Sequence, residues 1–273
     1  MNPRMAVLQM TSGVAVSANL AVAETLLAEA GRQGAALALL PENFALMAET
    51  DLDRLRQAEV LGAGPIQDFL ARVAGQLHLA IIAGTVPIRA GGGRIRAASL
   101  VYSPEGVQVG RYDKMHLFDV DLGVGERYQE SLGIEPGLEA QVVDVAGIRA
   151  GLSVCYDLRF PELYRDLVAR GATVLTVPAA FTVPTGRDHW DPLLRARAIE
   201  NQCYVLAAAQ SGLHENGRQT YGRSSIIDPW GVIVAERREA GPGVLVADYD
   251  AAHLQAVREK LPALRHRRSG LAG

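Results

Sequence analysis

Gly151-Leu152-Ser153-Val154-Cys155-Tyr156-Asp157-Leu158-Arg159-Phe160-Pro161-Glu162 is a short apolar run that ends in a cysteine, followed by a turn and a segment patterned as a helix. A strand that stops just before a helix is the repeating unit of α/β folds. A cysteine at that junction is well placed as a nucleophile, because the amides at a helix start favour a thiolate and hold a developing oxyanion. Cys155 also reads as a small buried hydrophobe, the common state of a free cysteine. The flanking sequence has to separate the two readings.

Toward the C-terminus, apolar spacing predicts a helix over 161–170 stopped by Gly171, and a strand over 172–177. Residues 178–187 read as a loop carrying Phe181, Thr182 and Thr185. A helix over 189–202 follows, with Trp190, Leu194 and Ala198 on one face, and then a strand over 204–209. Pro229-Trp230-Gly231 sits in a hairpin turn between 224–228 and 232–235, before a last strand at 244–247 and a helix over 250–261. Toward the N-terminus, 141–145 and 149–154 flank Ala146-Gly147-Ile148 as a hairpin leading into Cys155. Residues 125–137 lack periodicity and read as a loop. Residues 98–102 and 107–110 flank Ser103-Pro104-Glu105-Gly106 as another hairpin. Buried strands are expected at 5–10, 36–40 and 79–84. Helices are expected over 65–77 and after Ser17, which is placed to cap a helix with Leu20, Ala23, Leu27 and Ala30 on one face. Single strands alternating with helices, mixed with hairpins, argue for layered α/β with more than one sheet.

The chain has 273 residues, 49% of them hydrophobic, with a formal charge of −3, enough for a large core and no sign of an electrostatic nucleic-acid binder. The basic run Arg265-His266-Arg267-Arg268 reads as a solvated or partner-contacting tail. Cys155 and Cys203 form neither a disulfide framework nor a metal-binding pair, and the six histidines show no ligand spacing. No apolar run reaches membrane-spanning length and the first ten residues lack a signal pattern, so a soluble cytoplasmic protein is expected. There is no phosphate-binding Gly-Lys-Ser/Thr, and Gly62-Ala63-Gly64 and Gly123-Val124-Gly125 each lack the third glycine of a dinucleotide fingerprint. Gly151-Leu152-Ser153-Val154-Cys155 resembles a nucleophile elbow with cysteine at its last position, so a serine hydrolase centred on Ser153 stays open.

Three residues stand next to strands or their exits: Glu42 after 36–40, Lys114 in the run Tyr112-Asp113-Lys114-Met115-His116-Leu117, and Cys155. Glu42 reads either as a loop carboxylate or as one at a sheet edge, where α/β proteins place their chemistry. Lys114 reads as a solvated ammonium or as a cation aimed into a site. His116 reads as a structural hydrogen-bonder. With Pro41-Glu42-Asn43-Phe44, the Tyr112–Leu117 run and Ser153–Glu162, the chain resembles the nitrilase superfamily of carbon–nitrogen hydrolases over essentially its whole length. Leu193-Leu194-Arg195-Ala196-Arg197-Ala198-Ile199-Glu200-Asn201-Gln202-Cys203-Tyr204 and Asp228-Pro229-Trp230-Gly231 also look like that family.

The resemblance implies one carbon–nitrogen hydrolase domain over 1–273, with a short C-terminal tail from about 262. It implies a four-layer αββα sandwich, assembled as a dimer or higher homo-oligomer through its outer helices. It implies a catalytic set of Glu42, Lys114 and Cys155, with a second glutamate before the cysteine strand: Glu130, with Glu126 as the competitor. No metal or organic cofactor is implied. The Cys155–Leu163 run, His189-Trp190 and the ending Leu261-Pro262-Ala263-Leu264-Arg265-His266-Arg267-Arg268 look most like the branch containing deaminated glutathione amidase. The expected activity is hydrolysis of a small carboxylate-bearing amide, deaminated glutathione first among them, to acid and ammonia through a cysteine thioester, as metabolite repair. Alternatives are an ω-amidase on α-keto amides such as α-ketoglutaramate, an N-carbamoyl hydrolase, a nitrilase, or a non-catalytic binding module. Beyond the catalytic set, Tyr156 supplies an amide next to the nucleophile, and Arg159 reads as a carboxylate partner or as an ion pair with Asp157, Glu162 or Asp166. Thr182, Thr185 and His189 are the remaining pocket candidates, while Phe181 and Trp190 read as packing residues.

Overall fold

Residues 2–121, 123 and 127–268 are described by a computed structural model. The first half forms β1 (Arg4–Gln9), α1 (Val16–Arg32), β2 (Ala35–Leu40), α2 (Asp51–Arg56), α3 (Pro65–Leu77), β3 (Ala80–Arg89), β4 (Ile95–Tyr102) and β5 (Gln108–Asp113). A small pair, β6 (Asp119–Asp121) and β7 (Arg127–Gln129), precedes β8 (Val142–Val145) and β9 (Ile148–Leu152). Then come α4 (Pro161–Ala169), β10 (Val174–Thr176), α5 (Val183–Asn201), β11 (Tyr204–Ala207) and the hairpin β12 (Ser211–Leu213) with β13 (Gln219–Tyr221). The chain closes with β14 (Ser225–Ile227), β15 (Ile233–Glu236), β16 (Gly243–Asp248), α6 (Ala251–Lys260) and α7 (Ala263–His266).

Two six-stranded sheets result, in the orders β16-β1-β2-β3-β4-β5 and β15-β14-β11-β10-β9-β8. Their centres, β1-β2-β3 and β9-β10-β11, are parallel; the flanking strands are antiparallel. Alternate residues of a strand face opposite ways. Met5, Val7, Leu37 and Leu39 accordingly join Val143, Ala150, Leu152 and Val174 of the second sheet in one apolar layer. Their neighbours Ala6, Leu8, Ala38 and Leu40 pack with Ala23 and Leu27 of α1 and Phe69, Leu70 and Val73 of α3. Leu163 and Leu167 of α4 and Trp190, Leu194 and Ala198 of α5 join the second sheet's core, completing an αββα sandwich. Burying each such Leu or Phe contributes about 1.5–3 kcal/mol, which is what holds the four layers together.

Parallel strands send their C-terminal ends to one rim, and close backbone contacts fix that rim. A Cβ on Gly84 of β3 would lie 1.9 Å from the Pro41 carbonyl oxygen, at the exit of β2. A Cβ on Gly137 would lie 2.0 Å from the Asp113 carbonyl oxygen, and the Gly137 N–H donates to the Lys114 carbonyl (2.9 Å). Only glycine lets these segments approach so closely.

The structure departs from the sequence reading in several places. Ser17 lies inside the first turn of α1 and makes no cap; the entry is fixed instead by Asn19, whose side chain pairs with both backbone groups of Gly13 at 2.8 Å. Helix α5 begins at Val183, within the expected 178–187 loop, because Pro184 has the φ of a first helical turn and needs no N–H there. The expected loop over 125–137 contains β7 and a 3₁₀ turn over Glu130–Leu132. The β12–β13 hairpin was not anticipated; strands of three residues carry too little alternation to be seen.

Candidate active site

Glu42, Lys114 and Cys155 stand at the exits of β2, β5 and β9 and line one cavity of about 380 Å³. Cys155 has φ 50°, a left-handed conformation that is uncommon and strained for a residue with a side chain. Its N–H donates to the Pro178 carbonyl (2.9 Å), and the 3₁₀ turn Cys155–Arg159 follows immediately. The turn presents the thiol to the cavity while the preceding serine faces the core. Ser153 is fully buried, its Oγ donates to the Thr176 carbonyl (2.7 Å), and it meets the Tyr164 hydroxyl at 2.7 Å, which removes the serine-hydrolase reading.

Lys114 is 1% exposed, so its ammonium is not the solvated one a surface lysine would carry. Nζ donates to Glu42 Oε1 (2.9 Å) and to both carboxylate oxygens of Glu130 (2.9 and 2.8 Å). Glu130 Oε2 also accepts the Phe118 N–H (2.7 Å), which fixes the β6–β7 region against the lysine. Glu42 Oε2 accepts the Ala180 N–H (2.9 Å). Glu126 lies outside the described residues.

Burial works against all three charges, and the neighbours decide the outcome. Desolvation alone would raise the Glu42 carboxyl, but the Lys114 charge and hydrogen bond, the Cys155 thiol and the more distant Arg218 charge outweigh it and hold Glu42 below the usual glutamate range. Desolvation would lower the Lys114 ammonium, and the Glu130 and Glu42 carboxylates reverse that and raise it. Cys155 is pushed well above an ordinary thiol, first by burial and then by the Glu42 charge, against the weaker opposing pull of Lys114. At neutral pH the site therefore holds a carboxylate, an ammonium and a neutral thiol.

Asp157 ties the lysine segment to the cysteine turn. This fully buried side chain accepts from the Val154 N–H (2.8 Å) and Tyr112 hydroxyl (2.8 Å) through Oδ2, and from the His116 N–H (3.0 Å) and ring Nδ1 (2.7 Å) through Oδ1. His116 stacks flat on Phe160 at 3.7 Å and stays a structural hydrogen-bonder. Asp157 is thus engaged elsewhere and does not pair with Arg159.

Of the other sequence candidates, Tyr156, Arg159, Thr182 and Thr185 line the cavity. Arg159 forms none of the three expected ion pairs; its guanidinium lies over the rings of Tyr156 (5.8 Å) and Phe181 (5.5 Å). Thr182 and Thr185 are buried, with their hydroxyls 2.8 Å apart. His189 is exposed on α5 and outside the cavity lining, where Nδ1 meets Arg159 Nη1 at 3.2 Å; it supports the arginine from behind. Phe181 lines the cavity and so is more than packing, whereas Trp190 is fully buried. Sequence reasoning missed Asn43, Phe118, Tyr128 and Arg218 in the lining. Asn43 follows Glu42 directly and has φ 58°, a tight turn that its short polar side chain could have signalled. Arg218 comes from the unanticipated β12–β13 hairpin, about 60 residues beyond the cysteine.

Comparison with known proteins gives a consistent pattern. The carbon–nitrogen hydrolase family profile matches residues 4–259. A relative named deaminated glutathione amidase, from Synechocystis sp. (strain PCC 6803 / GT-S), is 46% identical over 267 residues, covering 96% of this chain and 97% of the relative. The crystal structure of the NitFhit protein of C. elegans superposes with a TM-score of 0.90 at 35% identity, covering 100% of this chain and 67% of that one. A mutant of the amidase from Nesterenkonia sp. AN1, in which acrylamide has added to the active site cysteine, superposes with a TM-score of 0.79 at 27% identity, covering 96% of this chain and 99% of that one.

Proposed function

The chain belongs to the carbon–nitrogen hydrolase family, and we propose from that premise that it is an amidase that cleaves deaminated glutathione through a Cys155 thioester. The single observation that carries the catalytic assignment is the buried Lys114 ammonium, held between Glu42 (2.9 Å) and Glu130 (2.8 Å) in the cavity that Cys155 lines. The substrate assignment rests on the 46% identical relative and its name.

Amides resist water, and splitting the reaction at a thioester lowers each barrier. Glu42, already ionised, takes the Cys155 proton as sulfur attacks the amide carbonyl. Lys114 and the Tyr156 N–H, the amide directly after the nucleophile, stabilise the oxyanion; losing one such donor typically costs about a hundredfold or more. Glu42 passes its proton to the departing nitrogen, then takes one from the water that hydrolyses the thioester. Glu130 positions Lys114 and adds a second negative charge that keeps it protonated. A primary amide releases ammonia. Deaminated glutathione, an α-ketoglutaryl group joined to cysteinylglycine, releases the amine of that dipeptide instead. Arg159, Thr182 and Thr185 are assigned to the substrate, with Arg159 meeting a carboxylate.

The family match over 4–259 supports treating the chain as one hydrolase domain with a tail from about 262. We assign the working protein to the cytoplasm as a homodimer or higher homo-oligomer; among the described residues no helix is long and apolar enough to cross a membrane. The test measures amine release from deaminated glutathione beside ammonia release from α-ketoglutaramate, with Cys155→Ala as the blank. Higher kcat/KM on the first is expected. Higher kcat/KM on the second would reassign the chain to the ω-amidases, and turnover of neither would overturn the amidase reading for these acyl groups.

A further inference from the structure

Three arginines line the cavity without a carboxylate partner among the described residues: Arg127, which is exposed, and Arg159 and Arg218, whose guanidiniums lie over aromatic rings of the wall. Arg159 rises from the nucleophile's own turn and lies over Tyr156 and Phe181. Arg218 comes from the β12–β13 hairpin. Its side chain makes one hydrogen bond among the described residues, from Nη2 to the Ala180 carbonyl (2.7 Å), and its guanidinium lies over Tyr128 at 5.4 Å. Nε is buried with no partner among the described residues, whereas the residue as a whole is half-buried and lines the cavity, where the rest of its guanidinium is open to a ligand.

Ala180 ties Arg218 to the Glu42 side. Its N–H donates to Glu42 Oε2 (2.9 Å) while its C=O, in the next peptide group, accepts from Arg218. One residue therefore links the arginine to the carboxylate oxygen. In the thioester mechanism Glu42 delivers the proton to the departing nitrogen, so the departing amine lies on the Glu42 side of the scissile carbonyl. The acyl chain stays on Cys155, toward the turn that carries Arg159.

We propose that Arg218 is a specificity residue that binds the carboxylate of the departing amine, so that the enzyme selects amides whose leaving group ends in a free carboxylate. This inference rests on the amidase reading above. A guanidinium offers a planar fork to such a group, and Tyr128 and Ala180 hold that fork in one orientation before substrate arrives. Arg159 is left for the carboxylate of the acyl part. A substrate with a charge at each end then spans the cavity from one arginine to the other.

The experiment uses two amides with the same α-ketoglutaryl acyl group, one joined to cysteinylglycine and the other to cysteinylglycinamide, which lacks the terminal charge. The wild-type enzyme should prefer the free carboxylate by roughly ten- to hundredfold in kcat/KM. Arg218→Gln should erase that ratio and Arg218→Lys should keep part of it, because charge survives and the fork does not. Arg159→Gln should slow both amides and leave the ratio standing. A ratio within one enzyme is unaffected by a general loss of folded protein, so a damaged fold cannot mimic the result. If Arg218→Gln keeps the wild-type ratio, or the wild type shows no preference, Arg218 does not read the leaving carboxylate although the amidase reading survives. If the wild type cleaves neither amide, the amidase reading fails and takes this inference with it.

Discussion

In the proposed mechanism a neutral thiol beside an ionised carboxylate divides the work between Cys155 and Glu42. Many cysteine enzymes lower the thiol pKa and attack as a preformed thiolate. Here burial and the Glu42 charge raise it, so proton removal has to accompany attack. The pH dependence follows from the two directions. Catalysis needs Glu42 as carboxylate, the form above its pKa; because that pKa is held down, the acid limb of kcat/KM should fall below the ordinary glutamate value of about 4.3. Because the thiol is pushed up, no rise should occur as pH passes the ordinary cysteine value of about 8.5. A profile of kcat/KM against pH checks both, and a rate climbing through about 8.5 would mean that a thiolate formed beforehand is the nucleophile. Cys203 offers a contrast within the same chain: it is fully buried, away from the cavity, and burial pushes its thiol up to about 11 against the pull of Arg258. It should resist iodoacetamide under conditions that label Cys155.

At the scale of elements, the site depends on how the β5 exit is held against the turn after β9. Asp157 makes that junction, with two acceptor oxygens serving four donors from Tyr112, His116 and Val154. Asp157→Asn replaces one acceptor oxygen by an NH₂ that must face donors. It should lower stability by about 2–4 kcal/mol in urea unfolding and cut kcat at least tenfold by misaligning Lys114. Unchanged stability would mean that the junction adapts and Asp157 is dispensable. Two of the three strand exits that carry the site were legible in the sequence because each ends a buried apolar run: 36–40 before Glu42 and 149–154 before Cys155. The helix expected over 65–77 coincides with α3, marked by Pro65 at its start and a continuous apolar face. Other parts were not legible. Tyr128 arrives on a three-residue strand and Arg218 in the turn before another, with no readable alternation, and the role of Asp157 is set by contacts some 40 residues away in sequence. Helix α5 hid its first turn because 178–187 carries no helical apolar face, although Pro184 favours a start there.

At the scale of the whole molecule, two parallel-centred sheets bring strand exits from both halves of the chain to one rim. Glu42 and Lys114 come from the first sheet and Cys155 from the second, so neither sheet carries the site alone. The glycines at 84 and 137 set the closeness of the backbones at that rim. This architecture suits the proposed covalent route: Cys155, Glu42 and Lys114, assigned there as nucleophile, base and oxyanion cation, converge without moving a domain. The claim that most needs a measurement is the thioester on Cys155. Deaminated glutathione and α-ketoglutaramate share the α-ketoglutaryl group, so a thioester mechanism sends both through one intermediate. Turnover of each is run with increasing hydroxylamine, which competes with water for that intermediate. The account predicts a hydroxamate that grows with hydroxylamine at the expense of acid, at the same hydroxamate-to-acid ratio from both amides, and lost in Cys155→Ala. Acid alone at every hydroxylamine concentration, or ratios that differ between the two amides, would contradict a shared Cys155 thioester.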